Sequence, residues 1–269
     1  MALNIVVCVK STPMALNVPV DSATAKVKTD GLAYAMNALD EYAVEEAVRL
    51  KERLPGSTVT ALCLGPASAE SVLRDAVSRG CDASALVTGP EVEGGDSYAT
   101  SFALAAAIKK LDAQKPVQLV LFGKNTNDGC SGVVGPEVAA WLGWPAVSSV
   151  KKLASIDEKT AVVWRMMEDG VDVLKISLPA CLSTTKELNE PRLASLKGKM
   201  ASRKAAVPRW GASELGLAPG EAGSALAPTA VLRCEPPPPR PAGMRVEGAN
   251  SAEKAKKLVD ILFERKLIS

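Results

Sequence analysis

Three stretches carry the residue types able to act on an anion: Lys10-Ser11-Thr12-Pro13 after the apolar run ending at Val9, Gly65-Pro66 after Cys63-Leu64, and a long run from Gly123 to Pro136. The third reads Gly123-Lys124-Asn125-Thr126-Asn127-Asp128-Gly129-Cys130-Ser131-Gly132-Val133-Val134-Gly135-Pro136. Glycines that turn sharply, an ammonium, a carboxylate, a hydroxyl and the start of a helix stand together there. That combination lets backbone N–H groups wrap a phosphate. The same composition also makes an ordinary Gly/Asn turn before a helix.

The chain has no histidine, so no Ser-His-Asp or Cys-His site, histidine metal cluster or imidazole acid/base is available to it. Its 32 Lys+Arg against 30 Asp+Glu leave a charge of +2 over 269 residues, and aromatics make up 4%. A nucleic-acid partner, which wants a basic surface or stacking rings, is not expected. Cys8, Cys63, Cys81, Cys130, Cys181 and Cys234 are isolated and read as reduced thiols. No window approaches about 18 uninterrupted apolar residues, and the expected location is cytoplasmic. Neither a GxGxxG nor a GxxxxGK[ST] run is present, which argues against an independent dinucleotide or P-loop enzyme. Gly94-Gly95-Asp96-Ser97 is similar to the phosphate loop of ATP pyrophosphatases, but it lacks the leading serine and spacer, and a helix N-cap accounts for it.

The elements that must hold these loops alternate. Ile5–Val9, Val59–Leu64, Ala85–Val87 and Val117–Phe122 are short apolar runs suited to strands buried on both faces. Between them, Asp40 caps an expected helix with Ala43, Val44, Ala47, Val48 and Leu50 inward, and Ser68 caps another that stops at Gly80. Ser97 to Leu111 is a third helix; a fourth starts near Gly135-Pro136 and ends before Gly143. Strand and helix in this alternation predict βαβ units and a doubly wound, mostly parallel sheet. After Ser149 come two strand-like runs, Ala161–Met166 and Val171–Leu178, joined at Asp169-Gly170, and a third, Ala180–Thr184.

From Val207 to Gly248 the chain is rich in Pro, Gly, Ala and Ser, and Ser251 to Arg265 returns to helical spacing with Ala255, Leu258, Ile261 and Leu262 on one face. Such a stretch builds no core of its own. The expected division is therefore a nucleotide-binding α/β domain over 1–206, including a basic loop at 186–204, and an arm with a terminal helix over 207–269 that needs another molecule to pack on.

Several of these residues carry a resemblance. Val7-Cys8-Val9-Lys10, Met36-Asn37 with Asp40-Glu41-Tyr42-Ala43-Val44-Glu45-Glu46-Ala47, Gly123-Lys124 with Asp128, Leu178-Pro179-Ala180, Leu188-Asn189-Glu190-Pro191-Arg192, Leu196-Lys197-Gly198 and Arg240-Pro241-Ala242-Gly243 are similar, in order, to the β subunit of electron transfer flavoproteins. The resemblance implies a Rossmann-like fold of the adenine nucleotide alpha hydrolase type and a heterodimer with an α subunit that holds most of a redox-active FAD. It also implies AMP in β or, in electron-bifurcating members, a second FAD. The implied nucleotide pocket falls on Val9, Lys10, Asn37, Asp40, Cys63, Gly65, Asp128, Ser131, Gly132, Val133 and Val134. Implied docking residues are Leu188, Asn189, Glu190, Pro191 and Arg192, with Leu196 as the anchor that enters an apolar pocket of acyl-CoA dehydrogenase-type flavoenzymes. The implied role is a carrier subunit without catalytic residues of its own, passing electrons on to a membrane quinone oxidoreductase or another acceptor. The family's usual carboxylate, Thr and Gln after Asp128-Gly129 are here Cys130, Ser131 and Val133, so the family's side-chain amide on the phosphate is missing. The competing readings are a stand-alone adenine-nucleotide-binding regulator and an adenylating enzyme; both lack their full phosphate loops.

Overall fold

A computed structural model describes residues 2–14, 18–21, 23–29, 31–240 and 242–268. Pro241 of the proline-rich match lies outside the described residues. In chain order the main elements are β1 (Asn4–Cys8), α1 (Ala38–Arg53), β2 (Thr58–Leu64), α2 (Glu70–Arg79), β3 (Ala83–Val87), α3 (Ser97–Gln114), β4 (Leu119–Gly123) and α4 (Val134–Leu142). They continue through β5 (Ala146–Ile156), β6 (Thr160–Met166), β7 (Val171–Ser177), β8 (Ala180–Thr184), α5 (Leu196–Lys204), β9 (Arg209–Trp210) and, after a short turn of helix, α6 (Ser251–Glu264).

The strands form one sheet in the order β7-β6-β5-β8-β4-β1-β2-β3-β9, parallel from β5 to β9 and antiparallel across β5, β6 and β7. This is the doubly wound α/β architecture that the alternation predicts. Every residue of β1 is buried because both faces are covered. Successive side chains point to opposite faces: Ile5 and Val7 pack with Val44, Ala47 and Val48 of α1, while Val6 and Cys8 pack with Ala105 and Ile108 of α3.

Helix ends follow the sequence with two corrections. Asn37, not Asp40, is the N-cap residue of α1; Asp40 sits inside the first turn, its carboxylate drawn away by tertiary partners. Ser68 lies in a short 3₁₀ turn, Ala67–Ala69, and α2 begins only at Glu70. Gly80 ends α2 at φ 127°, where a Cβ would come within 2.9 Å of Val48 Cγ1. Asp96 caps α3 by accepting from Ala99 N at 3.1 Å.

The strand β5 has no counterpart among the sequence expectations. It pairs irregularly with β6, Ser149 takes φ 58°, and Ser148, Ser149, Lys151 and Lys152 break its apolar pattern.

The packed body also extends beyond Val207. Arg209–Trp210 adds a parallel strand beside β3, Trp210 is only 9% exposed, and Ala222 is buried in the same cluster. The arm thus leaves the body after about Ala227. The α6 helix has no buried residue. Among the described residues no helix is long and apolar enough to cross a membrane, and no group of His, Cys, Asp and Glu is arranged to hold a metal.

Candidate nucleotide site

Parallel sheets open a crevice at the carboxyl ends of their strands where the strand order reverses. Here the reversal falls between β1 and β4, and a cavity of about 330 Å³ lies at those strand ends, closed by the N-termini of α3 and α4. Of the residues implied for the nucleotide, Val9, Lys10, Asp40, Ser131, Gly132 and Val134 line it.

Asn37, Cys63, Gly65, Asp128 and Val133 do not line it. Asn37 is fully buried behind the wall. Cys63 is buried in the core, and Gly65 is tied by its N–H to the Val87 carbonyl at 3.0 Å. Asp128 forms an ion pair with Lys10 at 2.7 Å, which fastens the long loop to the end of β1. Burial raises the Asp128 carboxyl, but the bond from Lys10 and its neighbours overcome this and hold it below the usual carboxylate range. Val133 is exposed at the start of α4.

The wall also includes residues outside the set implied for the nucleotide, among them part of the run from Gly123 to Pro136 that the sequence marks as able to wrap a phosphate. Gly95, Asp96, Ser97 and Thr100 come from the first turn of α3, and Lys124, Asn125 and Thr126 from the loop after β4. The Gly-Gly-Asp-Ser run signalled a helix cap, and the cap itself forms the wall.

The donor set suits an adenine nucleotide. Two helix N-termini, the ammonium groups of Lys10 and Lys124 and the Ser97, Thr100, Thr126 and Ser131 hydroxyls favour phosphate, while Val9, Leu64, Leu104, Phe122 and Val134 offer an apolar bed for a base. The missing glutamine is not replaced by Asn125, whose amide donates to Cys130 Sγ at 3.0 Å.

Asp40 is the most perturbed carboxyl here. Lys10 N donates to Oδ2 at 2.7 Å, while Gly123 N at 3.2 Å and Asn37 Nδ2 at 2.9 Å donate to Oδ1. Burial pushes its pKa up to about 7 despite those bonds.

The basic loop is built differently from the docking surface that the resemblance implies. Leu188 packs against the core, and Asn189 Nδ2 donates to the Tyr42 carbonyl at 3.0 Å and to Glu46 Oε2 at 3.2 Å. Arg192 grips Glu45 at 2.8 Å and Glu52 at 2.5 Å, and its carbonyl accepts from Arg79 at 3.3 Å. Burial works to raise Glu45, yet the Arg192 and Arg49 bonds hold it below its usual range. Arg74 Nη1 caps the end of α5 through the Ser202 carbonyl at 2.6 Å. Leu188 thus faces the core, and Asn189 and Arg192 face α1. Glu190 is exposed, although its carbonyl accepts from Arg49 Nη2 at 3.3 Å, and Pro191 is half-buried between it and Arg192. Outward face Leu193 at 91% and Leu196 at 78%, with Met200 one turn along from Leu196.

The fold is of the Rossmann-like α/β class, with a cavity at the carboxyl ends of its parallel strands. A family model described as "Electron transfer flavoprotein domain" matches residues 24–215. The chain is 35% identical over 266 residues to the Caffeyl-CoA reductase-Etf complex subunit CarD of Acetobacterium woodii, covering 99% of this chain and all (100%) of the relative. It is 31% identical over 271 residues to the electron transfer flavoprotein subunit beta of Megasphaera elsdenii, covering 99% and 100%. It is also 33% identical over 263 residues to the protein FixA of Bradyrhizobium diazoefficiens, covering 96% and 90%. The chain belongs to the electron transfer flavoprotein family, on the side of its β-type subunits.

Proposed function

We infer that the chain is the β subunit of a heterodimeric electron transfer flavoprotein, with AMP in the cavity and a FAD held mainly by an α subunit. Electrons arrive from an acyl-CoA dehydrogenase-type flavoenzyme and leave to a membrane quinone oxidoreductase or another acceptor. The observation that carries this reading is the arm: Val231, Leu232, Met244, Leu258, Val259 and Phe263 are all exposed on a segment continuous with a well-packed body. A soluble monomer rarely leaves that much apolar surface uncovered.

The FAD, when bound, supplies the electron chemistry. This chain supplies position. Lys10, Lys124 and the two helix N-termini hold a phosphate, the apolar wall shields the base from water, and Leu193 before α5 with Leu196 and Met200 on it face the donor. Lys197, Lys199, Arg203 and Lys204 form no ion pair among the described residues, so an acidic rim on the donor is favoured.

The alternative within the family is an electron-bifurcating β subunit with a second FAD in place of AMP. It is favoured by the altered loop after Asp128-Gly129, where Cys130, Ser131 and Val133 replace the family's usual carboxylate, Thr and Gln. Copurifying the chain with its α-type companion and weighing the extracted nucleotide decides between them: AMP, or a second FAD per heterodimer. A colourless monomer that ignores the α chain overturns both and leaves the stand-alone regulator.

A further inference from the structure

Asn37 lies within the stretch implied to touch the nucleotide, but both polar atoms of its buried side chain are already bonded inside the fold. It is 0% exposed. Nδ2 donates to Asp40 Oδ1 and to the Asn125 carbonyl, both at 2.9 Å, and Oδ1 accepts from Asn127 N at 3.1 Å. Its backbone N–H bonds the Lys10 carbonyl at 2.9 Å. Asp40, one helical turn on, takes the N–H groups of Lys10 and Gly123. Gly123 must be glycine for this, because a Cβ there would run into Asp40 Oδ1.

Two buried side chains therefore fix three separate pieces of the wall: the end of β1, the end of β4 and the loop at 125–127. We propose that Asn37 and Asp40 act as a positioning pair that assembles the nucleotide site, with Asn37 making no ligand contact. This rests on the nucleotide reading above and assigns one of its implied residues a different task. The chemistry is asymmetric. The carboxylate accepts only, so it gathers N–H donors; the amide donates to that carboxylate and to a carbonyl while accepting a third backbone N–H. An amide and a carboxylate one turn apart meet those demands together.

The groups facing the pair are Cys8 from β1 and Lys10 just beyond its end, Cys63 from β2, and Asp128 and Lys124 from the loop, with Lys10 paired to Asp128. Burial raises both thiols, so neither supplies charge at neutral pH.

The test uses the full chain stripped of nucleotide, with AMP titrated calorimetrically into the wild type, Asn37→Asp and Asn37→Ala at pH 8 and pH 6. Asn37→Asp sets a second carboxylate against Asp40 and against the Asn125 carbonyl. At pH 8 its AMP affinity falls roughly tenfold or more. At pH 6 the deficit relative to the wild type shrinks, because two adjacent carboxyls share one proton and a donor is restored. Asn37→Ala, which adds no second carboxyl, keeps a deficit at both pH values. In addition, amide exchange at Lys10, Gly123 and Asn127 speeds up in Asn37→Ala without ligand, while the core strands keep their protection. Wild-type AMP affinity in Asn37→Asp at pH 8, or an Asn37→Asp deficit that does not shrink at pH 6, overturns the positioning pair. A wild-type chain that binds neither AMP nor FAD sinks the nucleotide reading instead, and the exchange measurement still decides the pair.

Discussion

Asp40 shows how a single carboxyl trades stability for shape. Burial is the main reason its pKa rises from an ordinary 3.8 to about 7. Between those values the folded chain binds the proton more tightly than the unfolded one, so this group's contribution to stability falls as pH rises through that window and is level above it. At pH 8 the buried charge costs on the order of a few kcal/mol. Replacing Asp40 by Asn removes the titration. Urea unfolding at pH 5 and pH 8 is therefore expected to show a larger loss of stability with rising pH in the wild type than in Asp40→Asn; parallel losses would contradict it. The helix start was legible near Asp40, although Asn37 is the cap, and the resemblance implied both residues for the site. Their real partners at Gly123, Asn125 and Asn127 were not, because nothing local links positions more than eighty residues apart.

Among the elements, those whose pattern is set by burial on both faces were readable: β1, β2, β4, β8 and the helices between them. The bulged β5 was not: it pairs with both β6 and β8 through shifted registers, and its burial is mixed rather than strictly alternating. The segment from Leu188 to Lys204 lies between these cases. Its basic charge and its exposed Leu196 were visible in sequence, whereas the inward grip of Arg192 on Glu45 and Glu52 was not. Removing that guanidinium leaves Glu45, nearly buried, with Arg49 alone. Because Arg192 is itself partly exposed, Arg192→Ala is expected to cost only about 1–3 kcal/mol in thermal or urea unfolding. It should also open residues 188–204 to protease, which Arg192→Lys, keeping a charge but losing the fork, repairs only in part. Gly198 packs against the Ser78 carbonyl so closely that a Cβ has no room, and Gly198→Ala should lift α5 from α2 with the same proteolytic signature. Leu196→Ala behaves differently: the side chain is in water, so melting stays unchanged while KM for the donor flavoenzyme rises several-fold. An unchanged KM would remove Leu196 from the anchor role.

At the scale of the whole molecule the question is where the body ends and the arm begins, because composition alone puts the boundary too early. Pro, Gly, Ala and Ser dominate from Val207 onward, yet the first part of that stretch is pinned by backbone bonds from Leu86 N to the Pro208 carbonyl and Thr88 N to the Trp210 carbonyl, each 2.9 Å. Trp210 then fills the cluster beside α3, with Lys110 Nζ 5.6 Å from its ring centre. Thr229 still touches the body, its Oγ1 donating to Asp96 at 2.7 Å. Beyond it Cys234 N reaches the Ala25 carbonyl at 2.8 Å, and α6 buries nothing. Two truncations separate these parts. Ending the chain after Val207 strips a ladder and a nearly buried indole from the sheet edge. It should destabilise the body by about 3–5 kcal/mol, as large-to-small changes at buried aromatics do. Ending it after Thr229 removes mostly exposed surface and, of the backbone bonds to the body, the one from Cys234 N to Ala25, so the body should melt nearly as the full chain does. On a sizing column with the α-type companion, however, the Thr229 truncation should elute alone where the full chain co-elutes. Co-elution of that truncation would mean that the packed body, and not the arm, holds the companion.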